Sequence, residues 1–178
     1  MTLDQIIKTG IAPAMALLPA SMDSPRARVM LLAIGLQESG FQHRRQLVGS
    51  PPRPAGPAKS YWQAEQGGGM VHGVRLHVST RVAAARLYAA RGVAVTDRAI
   101  WDAIERDDAL AAGLARLLLW TDPKVLPALE DVHGAFDLYL RTWRPGAWER
   151  GGTKERQELK VRWIRNHDMA KATTEVSA

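Results

Sequence analysis

Apolar residues recur at helical spacing along most of the chain, and the pattern lapses once, from Gln42 to Val74. Met1 to Leu18 reads as a short helical start broken at Pro13. Asp23 or Ser24 offers a cap, and Pro25 a first-turn residue, for a helix running to about Glu38. Val29, Leu32, Ala33 and Leu36 fall on one face of that helix. Val82, Ala85, Arg86 and Ala89 mark a further helix, from about Ser79 to a stop at Gly92. Thr96 caps the next, with Ile100, Trp101 and Ile104 directed inward. Ala109 to Trp120 is apolar nearly all round, the mark of a central buried helix, and Asp122-Pro123 stops it. Glu130 to Trp143 is amphipathic and ends at Pro145-Gly146, and Thr153 to about Lys171 is a strongly charged final helix.

The lapse has its own content. Arg44 to Val48 has the composition of a short strand, Gly49 to Pro57 that of a turn or loop, and Tyr61 to Ala64 that of a second strand. Gly67, Gly68 and Gly69 then loosen the backbone. There is no internal repeat and no long linker, so residues 1–178 are expected to form one mainly α (α+β) domain with a small hairpin.

A chain of 178 residues can bury a real core. It has no cysteine, which excludes disulfide bracing and thiolate chemistry. The net charge of +6 points to an anionic partner. Basic residues crowd between Arg141 and Lys171, where interleaved Glu155 and Glu158 favour a solvated helix over a nucleic-acid contact. No apolar run is long enough to span a bilayer, and Asp4 spoils the amino-terminal stretch as an export signal. The expectation is a monomer made in the cytoplasm, with neither nucleic acid nor membrane as partner.

The run Leu31 to Phe41 places a carboxylate, Glu38, in the last turn of an apolar helix. A helix C-terminus carries partial negative charge, and apolar surroundings penalise ionisation, so this acid should keep its proton unusually long. Such a group suits protonation of a glycosidic oxygen. The three glycines at 67–69 lack the Lys-Ser or Lys-Thr of a phosphate loop, and His43, His72 and His77 form no metal-ligand spacing, so no cofactor and no metal is expected. Trp101, Trp120, Phe136, Tyr139 and Trp143 sit at helical spacing and read as core.

Glu38-Ser39-Gly40-Phe41 resembles the Glu-Ser motif of soluble lytic transglycosylases and goose-type lysozymes, within the lysozyme superfamily. Gly56 to Gln63 is similar to their Gly-x-x-x-Gly-x-x-Gln stretch, with Ser60 standing where the second Gly belongs. The block from Gln37 to Gly73, with Leu117 to Pro123 and Tyr139 to Gly146, also resembles uncharacterised phage proteins.

The resemblance implies a lysozyme-like domain that cleaves the glycan strands of peptidoglycan, as a lytic transglycosylase or muramidase of phage or prophage origin. It would act from the host cytoplasm after release, or from the virion. Glu38 is then the general acid and Glu65 a second catalytic carboxylate, unless Glu65 only pairs with Arg44, Arg45 or Arg75. Substrate contacts are expected from Ser39, Ser60, Tyr61, Trp62 and Gln63, with Tyr139 or Tyr88 near the acid. One of Tyr61 and Trp62 would stack on a sugar while the other enters the core. The alternative is a non-catalytic phage protein that keeps the fold and binds glycan or packs in a virion.

Overall fold

The computed structural model describes residues 1–176. The amino-terminal segment does not break at Pro13. Helix α1 (Leu3–Ile6) widens into a π-helical turn over Ile7–Ile11 and continues as α2 (Ala12–Leu17). Ala12 donates its N–H back to the carbonyl of Ile7, and Pro13, which has no N–H to offer, falls in the first turn of the renewed helix, where none is required. Helix α3 (Pro25–Glu38) starts as the sequence predicts: the Ser24 hydroxyl accepts the N–H of Ala27 at 3.2 Å, and Pro25 occupies the first turn. It is buried nearly all round rather than on one face, since Ala27 and every residue from Val29 to Gly35 lie inside.

The hairpin differs from its prediction. Strand β1 (Arg45–Val48) pairs antiparallel with β2 (Arg53–Lys59), with Val48 opposite Arg53 and Arg45 opposite Lys59. The second strand therefore runs through the Pro- and Gly-rich stretch expected to be loop. A two-stranded sheet has only edges, so Pro54 and Pro57 need not complete an inner ladder. Tyr61 to Gln63, expected as strand, forms a turn in which Ser60 and Gln63 both take left-handed φ angles, 65° and 52°.

A second π-helical turn, Gly69–Gly73, leads into α4 (Val74–Leu76) and α5 (Arg81–Ala90). The positions that marked α5 in the sequence lie on its outer face, with Val82 60% exposed, while Ala84, Leu87 and Tyr88 turn inward. Helix α6 (Asp97–Ala103) is capped by Thr96, and Ile100 and Ile104 are buried. Trp101 is only half-buried: its indole donates to the Pro57 carbonyl at 2.9 Å. The Lys59 ammonium sits 3.6 Å above the Trp101 ring and 2.9 Å from both Asp102 and Glu105, which pins β2 to the helical body.

Helix α7 (Asp108–Trp120) is the central element, buried from Ala109 to Leu119 and packed by α2, α3, α5 and α8 (Val132–Trp143). Trp120, expected in the core, is 37% exposed at its end. A short α9 (Gly146–Glu149) precedes α10 (Thr153–Val176), which packs along α3. The structure is thus mainly helical with one small antiparallel sheet, and its buried apolar residues form one cluster. Among the described residues no helix is long and apolar enough to cross a membrane.

Candidate active site

The end of α3 is folded back on itself. After Ser39, Gly40 and Phe41 both take positive φ, 59° and 55°, and return the Phe41 ring to the flank of α3. The ring occupies the space where Gly35 would carry a side chain: a Cβ there would lie 2.1 Å from Phe41 Cζ. Phe41 meets Tyr61 and Trp62 edge-on, at centroid distances of 5.5 and 5.9 Å. Trp62 donates its indole N–H to the Leu31 carbonyl at 2.9 Å, and Trp143 donates to the Trp62 carbonyl at 3.0 Å. The Ser39 hydroxyl donates to the Tyr61 carbonyl at 2.7 Å. An aromatic wall, tied by backbone hydrogen bonds, thereby fixes the last turn of α3 against the 61–63 turn.

Glu38 emerges from that last turn. Its carboxylate is largely enclosed, and Tyr139 on α8 donates its phenolic hydrogen to Glu38 Oε1 at 2.7 Å. Burial pushes the Glu38 acid up from 4.5 to about 7, against the opposing pull of the Tyr139 hydrogen bond and the positive charge of Arg162. Tyr139 is itself buried and stacked on Trp163 of α10 at 4.9 Å, so the phenol is held in place. The neighbouring Gln37 is clamped from α10: it donates to the Leu159 carbonyl at 3.2 Å and accepts from Asn166 Nδ2 at 2.8 Å. The residue beside the acid is therefore locked at both ends of its amide.

A cleft of about 870 Å³ opens in front of Glu38, between the hairpin and the α8–α9 junction. Ser39, Gln63 and Glu65 line it with Glu38, so four of the residues picked out in the sequence share one cavity. Tyr139 reaches the site from behind, through the acid. Ser60, Tyr61 and Trp62 do not line it; all three are buried in or behind the aromatic wall, which removes them as direct substrate contacts. The expectation that one of Tyr61 and Trp62 stacks on a sugar fails because both rings are consumed by packing. Ser60 adopts the left-handed backbone that favours glycine and offsets part of the strain by accepting the Trp62 N–H at 3.2 Å. Tyr88 lies on α5, buried and away from the cleft, so the tyrosine beside the acid is Tyr139.

Gln63 donates to the Ser60 carbonyl at 2.8 Å, which orients its amide at the cleft wall. Glu65 is exposed and forms no ion pair among the described residues. Its three expected partners are engaged elsewhere: Arg44 with Asp108, Arg45 with the Gly56 carbonyl and Arg75 with Asp97. His72 bonds Asp97, His77 bonds Ser79, and no cluster of three or more metal-ligating side chains occurs among the described residues.

Sequence reasoning missed the cations of the site. Arg45, Arg144, Arg150 and Arg162 all line the cleft, against Glu38 and Glu65 as its only acidic residues among those described. The crowding of basic residues after Arg141 was a signal for three of them, but the sequence alone assigned part of that charge, Arg162 included, to a solvated final helix. Comparison of the chain with protein-family models, with curated proteins and with solved structures found no match.

Proposed function

We propose that this protein cleaves the glycan strands of peptidoglycan, between N-acetylmuramic acid and N-acetylglucosamine, with Glu38 as general acid. The observation that carries the reading is a carboxyl group that remains protonated to about pH 7 while facing an open cleft. The resemblance of Glu38-Ser39-Gly40-Phe41 to the lytic transglycosylase motif supplies the substrate class.

Glu38 gives its proton to the bridging oxygen as the C1–O bond breaks, and the leaving sugar departs with a neutral hydroxyl. Proton transfer of this kind contributes about two to four orders of magnitude. The carboxylate left behind is stabilised by the Tyr139 hydrogen bond and by Arg162. The muramic acid 6-hydroxyl then forms the new bond to C1, and its proton passes to Glu38, which restores the starting acid and leaves an anhydro end. No second carboxylate enters this sequence, and Glu65 serves the cleft wall. Ser60 adopts the left-handed backbone that favours glycine, which supports a working site over a catalytically silent relative, since the residue standing at the motif's glycine position takes a conformation open to glycine.

Hydrolysis is the second reading, favoured by one observation: Glu65, without an ion pair among the described residues, lines the same cleft as Glu38, where it can activate water. In either case the setting is a phage or prophage, with the enzyme released from the host cytoplasm or carried on the particle. Loss of turbidity of purified wall preparations, wild type against Glu38→Gln, tests the assignment; equal activity of the two would remove Glu38 as the acid. Product mass separates the chemistries, since an anhydro end is one water lighter than a reducing end.

A further inference from the structure

The sugar backbone of an N-acetylated glycan is uncharged, yet the cleft presents four arginines. None of Arg45, Arg144, Arg150 and Arg162 forms an ion pair with a carboxylate among the described residues. Elsewhere the chain readily neutralises arginine: Arg28, Arg75 and Arg141 each hold an aspartate at 2.8 Å or less. The cationic surface also continues past the cleft. A second cavity of about 410 Å³ runs along the outer face of α10, formed by Gln157, Glu158, Val161, Arg162 and Arg165. Arg162 belongs to both cavities, and Arg165 stands about one helical turn beyond it, also without an acidic partner among the described residues. Glu158, the one acid in that second cavity, lies 4.0 Å from Lys154.

We infer that Arg144, Arg150, Arg162 and Arg165 form a continuous track that binds the carboxylates of peptide stems carried by the glycan strand, extending recognition from the cleft onto α10. The inference rests on the glycan-cleavage reading and adds to it the part of the substrate that these arginines select. Guanidinium groups pair carboxylates with two parallel hydrogen bonds, and these stand free to do so. The Val161 side chain in the outer cavity is 56% exposed and gives apolar surface for the methyl-bearing side chains of such a stem. Binding through exposed cations weakens as salt screens them, so the preference for stems is itself salt-dependent.

The test measures binding of the Glu38→Gln protein, which does not turn substrate over, to soluble glycan strands with stems intact and to the same strands stripped by an amidase, with the lactyl carboxylates so freed capped as methylamides. Stems are expected to tighten Kd about ten-fold at low salt, with the gap narrowing to about two-fold at 0.5 M. A variant that also carries Arg144→Gln, Arg150→Gln and Arg165→Gln should lose the gap, and Arg165→Gln alone, at an exposed position, should narrow it about two-fold. Circular dichroism verifies that each variant is folded. Equal affinity of the Glu38→Gln protein for both strands overturns the inference, as does a gap that survives the triple change in folded protein. Stripped strands that keep a phosphodiester wall polymer form the third arm: binding them as tightly as stem-bearing strands would assign the track to phosphate instead. Release of fragments by the wild-type protein is scored separately, so failure of the cleavage reading and failure of the track give different results.

Discussion

Tyr139 holds Glu38 by a 2.7 Å hydrogen bond between residues 101 positions apart, and the phenol itself is fixed by the Trp163 ring. This bond favours the ionised carboxylate, while burial favours the acid. The two effects oppose one another, and burial wins. Because the donor form is the protonated one, activity should be level below about pH 7 and fall about ten-fold per pH unit above it. Tyr139→Phe removes the hydrogen bond that opposes burial and should move the fall to higher pH. A carbon-13 titration of the Glu38 carboxyl, with a pH–rate profile beside it, checks both the midpoint and the direction of the change. A shift toward lower pH would contradict the hydrogen bond's sign.

The raised acid also costs stability. Glu38 titrates near 4.5 in an unfolded chain and at about 7 in the folded one, so the unfolded state releases its proton first. Stability contributed by this group therefore falls as pH rises from about 4.5 to 7, and remains low above that, by up to about 3 kcal/mol. Glu38→Gln keeps the shape and discards the titration. It should match the wild type at pH 4 and exceed it at pH 8, as read from urea denaturation at the two pH values.

Glu65→Gln distinguishes the two chemistries without reference to product mass. Under transglycosylation it should retain more than about half of the wild-type kcat, since no step uses the carboxylate. Loss of about a hundred-fold or more would assign Glu65 to water activation and displace the first reading.

Gly35→Ala should destabilise by about 1–3 kcal/mol, because the added carbon would enter the Phe41 ring. The loss should appear in thermal unfolding. It should also lower activity at temperatures where the protein is still folded, since the ring supports the turn that carries Glu38.

Ser60→Gly should remain within about 1 kcal/mol of the wild type: relief of the left-handed backbone is set against loss of the Trp62 hydrogen bond. Ser60→Val should fold poorly or not at all, since a branched side chain is strained at a φ of 65° and has no free volume there.

What the sequence disclosed follows from how local each signal is. The start of α3 was legible because Ser24 and Pro25 act within one turn. Glu38 was legible because its oddity, a carboxylate at a helix end, is a property of its own helix. The central helix α7 announced itself by unbroken apolar residues. The hairpin was misread because Pro54 and Pro57 suggest loop, whereas an edge strand tolerates them. Tyr61 and Trp62 suggested a strand because aromatics favour one, but here their contribution is packing behind the acid. The partners of Glu38 come from far along the chain: Tyr139, one of the two tyrosines that the resemblance offered, arrives from α8, while Arg162 arrives from α10, where no pattern marks the residue that turns toward α3. An arginine free of acids looks the same in sequence as one bound to them.

The order in which the chain is made gives this arrangement a temporal meaning. Gln37 and its neighbour Glu38 leave the ribosome early, and the carbonyl that anchors Gln37 follows 122 residues later. Until α8 and α10 are in place, Glu38 has neither its tyrosine nor its cover, and it behaves as an ordinary solvated carboxylate. The raised pKa of Glu38 therefore arises only as the last helices dock. On the proposed reading, a cell that makes this protein would carry an inert side chain throughout synthesis, and glycan cleavage would wait for completion of the fold.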